Sequence, residues 1–126
     1  MQITMNDMAA INQVLNEHRN DKMPIKTAYK FNKLLTSFES DFKFFQEKYR
    51  EILFKYCNKN EDGSLFINDS GDFIVEKENT EKYTADMTDL LSTPVEIPEI
   101  KFTLDELDGI EITVQEAASL KSIIME

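Results

Sequence analysis

Six residues in the first third of the chain have the types and spacing to hold an anion: Arg19, Lys22, Lys26, Tyr29, Lys30 and Lys33. On a helix, Lys26, Lys30 and Lys33 stand at i, i+4 and i+7 and share one face, and Tyr29 lies one turn before Lys33. Like charges stacked this way repel, so a solvated helix face ordinarily interleaves them with acids. Here no Asp or Glu occurs between Asp21 and Glu39. A phosphate-bearing ligand would relieve that repulsion, with lysine supplying compact charge and tyrosine a flat stacking surface. A solvated or partner-facing helix side is the other reading, and the residues alone leave both open.

Other candidate chemistry is thinner. Asn58, Asn60, Asp62, Gly63, Ser64 and Asp69 fall at positions 1, 3, 5, 6, 7 and 12 of a calcium-binding EF-hand loop. Position 1 is Asn where Asp would supply charge. Asp at position 12 is too short for the usual bidentate reach, so an ordinary turn is expected and no metal. His18, the only histidine, sits on the apolar side of a short helix and reads as a packed or partly exposed residue. Cys57 stands at a helix C-terminus, the end of the dipole that disfavours a thiolate. No Ser/His/Asp set or Gly-rich phosphate loop occurs, so neither catalysis nor a cofactor is expected.

The element that must position the lysines runs from Pro24 to Cys57. Its apolar residues Ala28, Phe31, Leu35, Phe38, Phe42, Phe45, Tyr49, Ile52 and Tyr56 step by alternating threes and fours, a heptad seam. Pro24 suits the first turn of a helix, and no Gly or Pro occurs between Ile25 and Cys57. A shorter helix from about Asn6 to Asn20 precedes it, behind a possible strand at Gln2–Thr4. The two helices should pair antiparallel, with the first too short to cover the second. The seam residues Phe38, Phe42, Phe45, Tyr49, Ile52 and Tyr56 are therefore expected to meet another copy, giving a homo-oligomer.

Beyond Cys57, turn-forming residues lead into a hairpin of Leu65–Ile67 with Phe73–Val75. A helix succeeds it from about Thr80 to Leu91, stopped by Pro94. Val95/Ile97 and Ile100/Phe102 are extended, with Pro98 confining them to an edge. Thr103/Glu106 and Thr113/Glu116 are capping-box pairs, the second opening a last helix. The fold class is α+β, mainly helical: a long helix packed with a short N-terminal helix, a small β-hairpin and short C-terminal helices.

The chain of 126 residues carries a net charge of −10. Residues 1–60 hold ten Lys/Arg against seven Asp/Glu, whereas residues 61–126 hold four against seventeen. We read one domain, 1–126, made of a helical hairpin with a basic face (1–57) and an acidic part (58–126). No window approaches the roughly 18 apolar residues of a membrane span, and no signal peptide is visible, so a cytoplasmic location is expected. The acidic part admits a DNA-mimic reading, although many of its carboxylates sit in caps and turns where local chemistry asks for them. Direct nucleic-acid binding is not expected.

The run Met23-Pro24-Ile25-Lys26-Thr27-Ala28-Tyr29-Lys30, the long charged helix, and Tyr56 ahead of Asn60-Glu61-Asp62-Gly63 resemble a family of small proteins from tailed phages and prophages. Leu107-Asp108-Gly109-Ile110-Glu111-Ile112-Thr113 is also similar, and Met23 stands in place of the family's Leu. The resemblance implies a phage protein in the host cytoplasm and names no activity. Small phage proteins of this kind serve as virion or assembly components or as inhibitors of host defence, some of them sequestering nucleotide signals. The expectation is a non-catalytic oligomer that binds an anionic small ligand at the basic helix start, such as a nucleotide second messenger sequestered to counter host defence. An assembly protein acting through its helical seam is the alternative.

Overall fold

Three caps set where the helices begin. Thr4 Oγ1 accepts a hydrogen bond from Asp7 N at 3.1 Å and opens α1, Met5–Glu17. Pro24, extended at φ −57° and ψ 150°, opens α2, Ile25–Tyr56. Thr113 and Glu116 form a reciprocal capping box on α4, Val114–Ser119. α3, Thr80–Ser92, lies between α2 and α4, and two three-residue strands, β1 (Gln2–Thr4) and β2 (Pro94–Glu96), precede α1 and follow α3. The computed structural model describes residues 1–125, and the fold is α+β and mainly helical.

β1 and β2 pair antiparallel, with Ile3 opposite Val95, across some ninety residues of sequence. The pairing ties the start of α1 to the end of α3, because β1 runs directly into α1 and Met5 N donates to Thr93 O at 2.8 Å. The expected hairpin at 65–75 is reduced to isolated bridges, Ile67 with Phe73 and Lys59 with Leu65, around two tight turns. Gly63, at φ +89°, occupies the first of these, where a side chain would be strained. In that turn the Asp62 carboxylate accepts from Ser64 N at 3.0 Å and Ser64 Oγ at 2.6 Å.

The core draws on both halves of the chain: Met8, Ile11 and Leu15 of α1, Phe31, Leu34 and Phe38 of α2, then Leu90, Val95, Phe102, Leu120 and Ile123. α2, at 32 residues, extends about 48 Å. It is covered in relay. Phe102 packs edge-on against Phe31 at 5.5 Å near its start, and α1 lies along its middle. Near its end, Tyr56 Oη donates to Asp86 Oδ2 of α3 at 2.6 Å.

That relay corrects the expected intermolecular seam at its ends. Phe38 and Tyr56 lie in the chain's own interior, because elements from three parts of the chain supply the cover that α1 alone could not. The buried face is also rotated near the start, where Thr27 and Leu34 are buried, Leu35 is half-buried and Ala28 is exposed. Phe42, Phe45, Tyr49 and Ile52 are half-buried against the core. Among the described residues no helix is long and apolar enough to cross a membrane.

Candidate functional site

The first three turns of α2 carry Lys26, Tyr29, Lys30 and Lys33 on one face, as their spacing requires. The opposite wall comes from far along the chain. Phe102 N donates to Ile123 O, and Met125 N to Phe102 O, both at 2.7 Å, which fixes the segment beside the C-terminal residues. With Phe102 buried, Glu99 and Lys101 stand on the other side of this extended stretch. The two walls enclose a groove of about 760 Å³ lined by Lys26, Tyr29, Lys30, Lys33, Glu99, Ile100, Lys101, Glu106 and Met125. Its size falls within the range of small-molecule sites.

Two side chains of α2 staple the walls together. Thr27, 1% exposed, donates from Oγ1 to Glu106 O at 2.8 Å. Lys30 Nζ donates to Lys101 O at 2.7 Å and reaches Glu106 Oε1 and Oε2 at 2.8 and 2.7 Å. It also lies 5.5 Å from the centre of the Phe102 ring. Glu106 Oε1 accepts from Thr103 N at 2.9 Å as well, so the same carboxylate caps its own turn. The Lys30 hydrogen bond, with the Thr103 backbone N–H second, holds this carboxyl below the usual glutamate range.

Lys30 is thus spoken for, which the spacing of the lysines alone does not reveal. Among the described residues Lys26, Lys33 and Lys101 have no carboxylate within ion-pair distance. Tyr29 is 62% exposed, and the Lys33 ammonium lies 5.6 Å from its ring centre. That contact holds the ring beside the cation. The groove therefore offers free positive charge, an aromatic plate, and apolar contact from Ile100 and Met125.

The other two expected ligand residues lie elsewhere, which is a correction. Arg19 hydrogen-bonds to Asn16 Oδ1 at 3.3 Å and borders shallow clefts with Ala28, Asn32 and Leu35. Those residues are nearly half a helical turn around α2 from the lysine face. Lys22 is exposed in the α1–α2 connection and does not line the groove.

Sequence reasoning missed the far wall. The one usable signal was the extended Ile100/Phe102 pattern, whose alternation puts Glu99 and Lys101 on the opposite side. Nothing local says which helix face they meet.

A second unforeseen constellation surrounds His18. Its Nδ1 lies 2.6 Å from Asp21 Oδ2 and its Nε2 lies 2.7 Å from Glu116 Oε2. The Asp21 hydrogen bond, helped by Glu116 and opposed by burial, raises the imidazole above its ordinary range. This contact joins the end of α1 to the cap of α4. Cys57 is 1% exposed, and burial pushes its thiol up, which fits an inert packing role.

Comparison with known protein families, characterised proteins and solved structures returns no match to this chain.

Proposed function

We propose that the protein is a non-catalytic binder that takes a small anionic ligand bearing an aromatic ring, of the nucleotide class, in the groove between α2 and residues 99–106. The observation that carries this reading is the meeting around exposed Tyr29 of Lys26, Lys33 and Lys101, unpaired among the described residues, on a chain of net charge −10. Electrostatic attraction to phosphate and stacking on the ring supply the affinity. Sequestration of a nucleotide signal in an infected host is the role we assign. It joins this groove to the resemblance to phage proteins. A thermal-shift screen of the full chain against mononucleotides and cyclic dinucleotides tests it. At a hundredfold excess over Kd, binding adds about 2.7 kcal/mol to stability, enough to raise the midpoint by several degrees. A midpoint unmoved by every nucleotide at millimolar concentration contradicts the reading.

One observation favours a second role, association between copies through α2. Phe42, Phe45 and Tyr49 form a stripe of mutually tilted rings, with ring centres 5.9 and 5.8 Å apart, in an open groove beside Ala9, Ala10 and Gln13 of α1. Such a stripe is a natural docking surface for another apolar helix.

A further inference from the structure

The charges lining the α2 groove are unequal in a way that specifies its ligand further. Four lysines and two glutamates line it. Lys30 and Glu106 neutralise one another at 2.7 Å, leaving Lys26, Lys33 and Lys101 against Glu99. Among the described residues the uncompensated charge is two positive units, and a ligand carrying about two negative charges balances it. A triphosphate overshoots.

Glu99 also polarises the groove. A phosphate placed against it would be repelled, so the phosphate belongs with Lys26 and Lys33 on α2, on either side of Tyr29 in sequence. What faces Glu99 must donate hydrogen bonds, because an ionised carboxylate only accepts them. Two carboxylate oxygens match two adjacent N–H donors. Among the common bases, guanine alone presents a ring N–H beside an exocyclic NH₂ on one edge. Adenine and cytosine offer the NH₂ next to an acceptor, and uracil sets its ring N–H between two acceptors. From the groove's charge balance and the position of Glu99 we infer that its ligand is a guanine nucleotide of charge about −2, with the base on Tyr29 and its donor edge on Glu99. One phosphomonoester or two phosphodiesters meet the charge requirement.

This inference rests on the nucleotide-binding reading, and the test separates the two. Isothermal titration calorimetry of the unmodified chain would use guanosine 5′-monophosphate, adenosine 5′-monophosphate, guanosine 5′-triphosphate and cyclic diguanylate. The expected result is that a guanine ligand of charge −2, the monophosphate or the cyclic dinucleotide, binds at least tenfold tighter than adenosine 5′-monophosphate. Whichever of the two binds tighter identifies the phosphate arrangement. Glu99 is exposed, so Glu99→Gln should fold normally, as an unchanged thermal midpoint would show. This variant should lose the guanine preference, the ratio of guanosine to adenosine 5′-monophosphate affinity falling to within about twofold of one. Equal guanine and adenine affinities, or a preference that survives Glu99→Gln, overturn the role of Glu99. A triphosphate tenfold tighter than the monophosphate overturns the charge assignment. Absence of binding by all four overturns the nucleotide reading itself.

Discussion

His18 makes a prediction at the scale of a single residue. Both ring nitrogens face carboxylates, Asp21 and Glu116, and only the imidazolium can donate to both. Because its folded pKa is raised, the stability it contributes is fully present below about pH 6.5. That contribution is lost as pH rises through the folded value. Glu116 acts in the opposite sense. Its carboxyl is depressed, first by the Thr113 backbone N–H and then by His18, so its contribution fades as pH falls below the ordinary glutamate range. The thermal midpoint should therefore fall between pH 6 and pH 8.5 in the unmodified chain and depend far less on pH over that interval in His18→Ala. An NMR titration placing His18 at or below 6.5 would contradict the clamp. At the same scale, Thr27 and Lys30 serve the groove by holding its wall rather than by meeting the ligand, so lysine spacing alone overstates the free charge.

At the scale of elements, α2 is the part most legible in sequence. Its uninterrupted periodicity and the proline at its start place it within a residue of Ile25–Tyr56. The Thr103 and Thr113 caps were legible too, since a capping pair is a contact between residues three apart. The β1–β2 pairing was not, because strands of three residues show no alternation long enough to read and their partner lies ninety residues away. The groove was half legible for the same reason: Lys26, Tyr29, Lys30 and Lys33 are set by one helix, whereas Glu99, Lys101 and Glu106 arrive by tertiary packing. Arg19 and Lys22 were misplaced because closeness in sequence across a helix–helix connection does not imply a shared face. The relay over α2 predicts its own vulnerable point. Phe38, wholly buried and in the common core, should cost about 3–5 kcal/mol on replacement by alanine, measured by urea unfolding. A loss under about 1 kcal/mol would mean that the middle of α2 is not packed as described.

The whole molecule is acidic, with three lysines of α2 lining one groove and the half-buried aromatics Phe42, Phe45 and Tyr49 lining another. Association through the second groove predicts a light-scattering mass above that of one chain at tens of micromolar. Phe45→Glu should return the particle to a single chain. A mass of 14.7 kDa for the unmodified protein would remove the second role and leave the groove at the start of α2 untouched.

The central claim is that Lys26 and Lys33, with Tyr29 between them, form the anion site, whereas the neighbouring Arg19 and Lys22 do not. It is tested most directly by calorimetric titration of the best nucleotide from the thermal-shift screen into two double variants, Lys26→Ala/Lys33→Ala and Arg19→Ala/Lys22→Ala. Both remove two positive charges from the same half of the chain, so long-range attraction falls about equally, and salt screens what remains of it within about 8 Å at physiological ionic strength. The account predicts at least a tenfold loss of affinity for the first pair and less than a threefold change for the second. Equal losses from the two pairs, or full affinity in Lys26→Ala/Lys33→Ala, would contradict it.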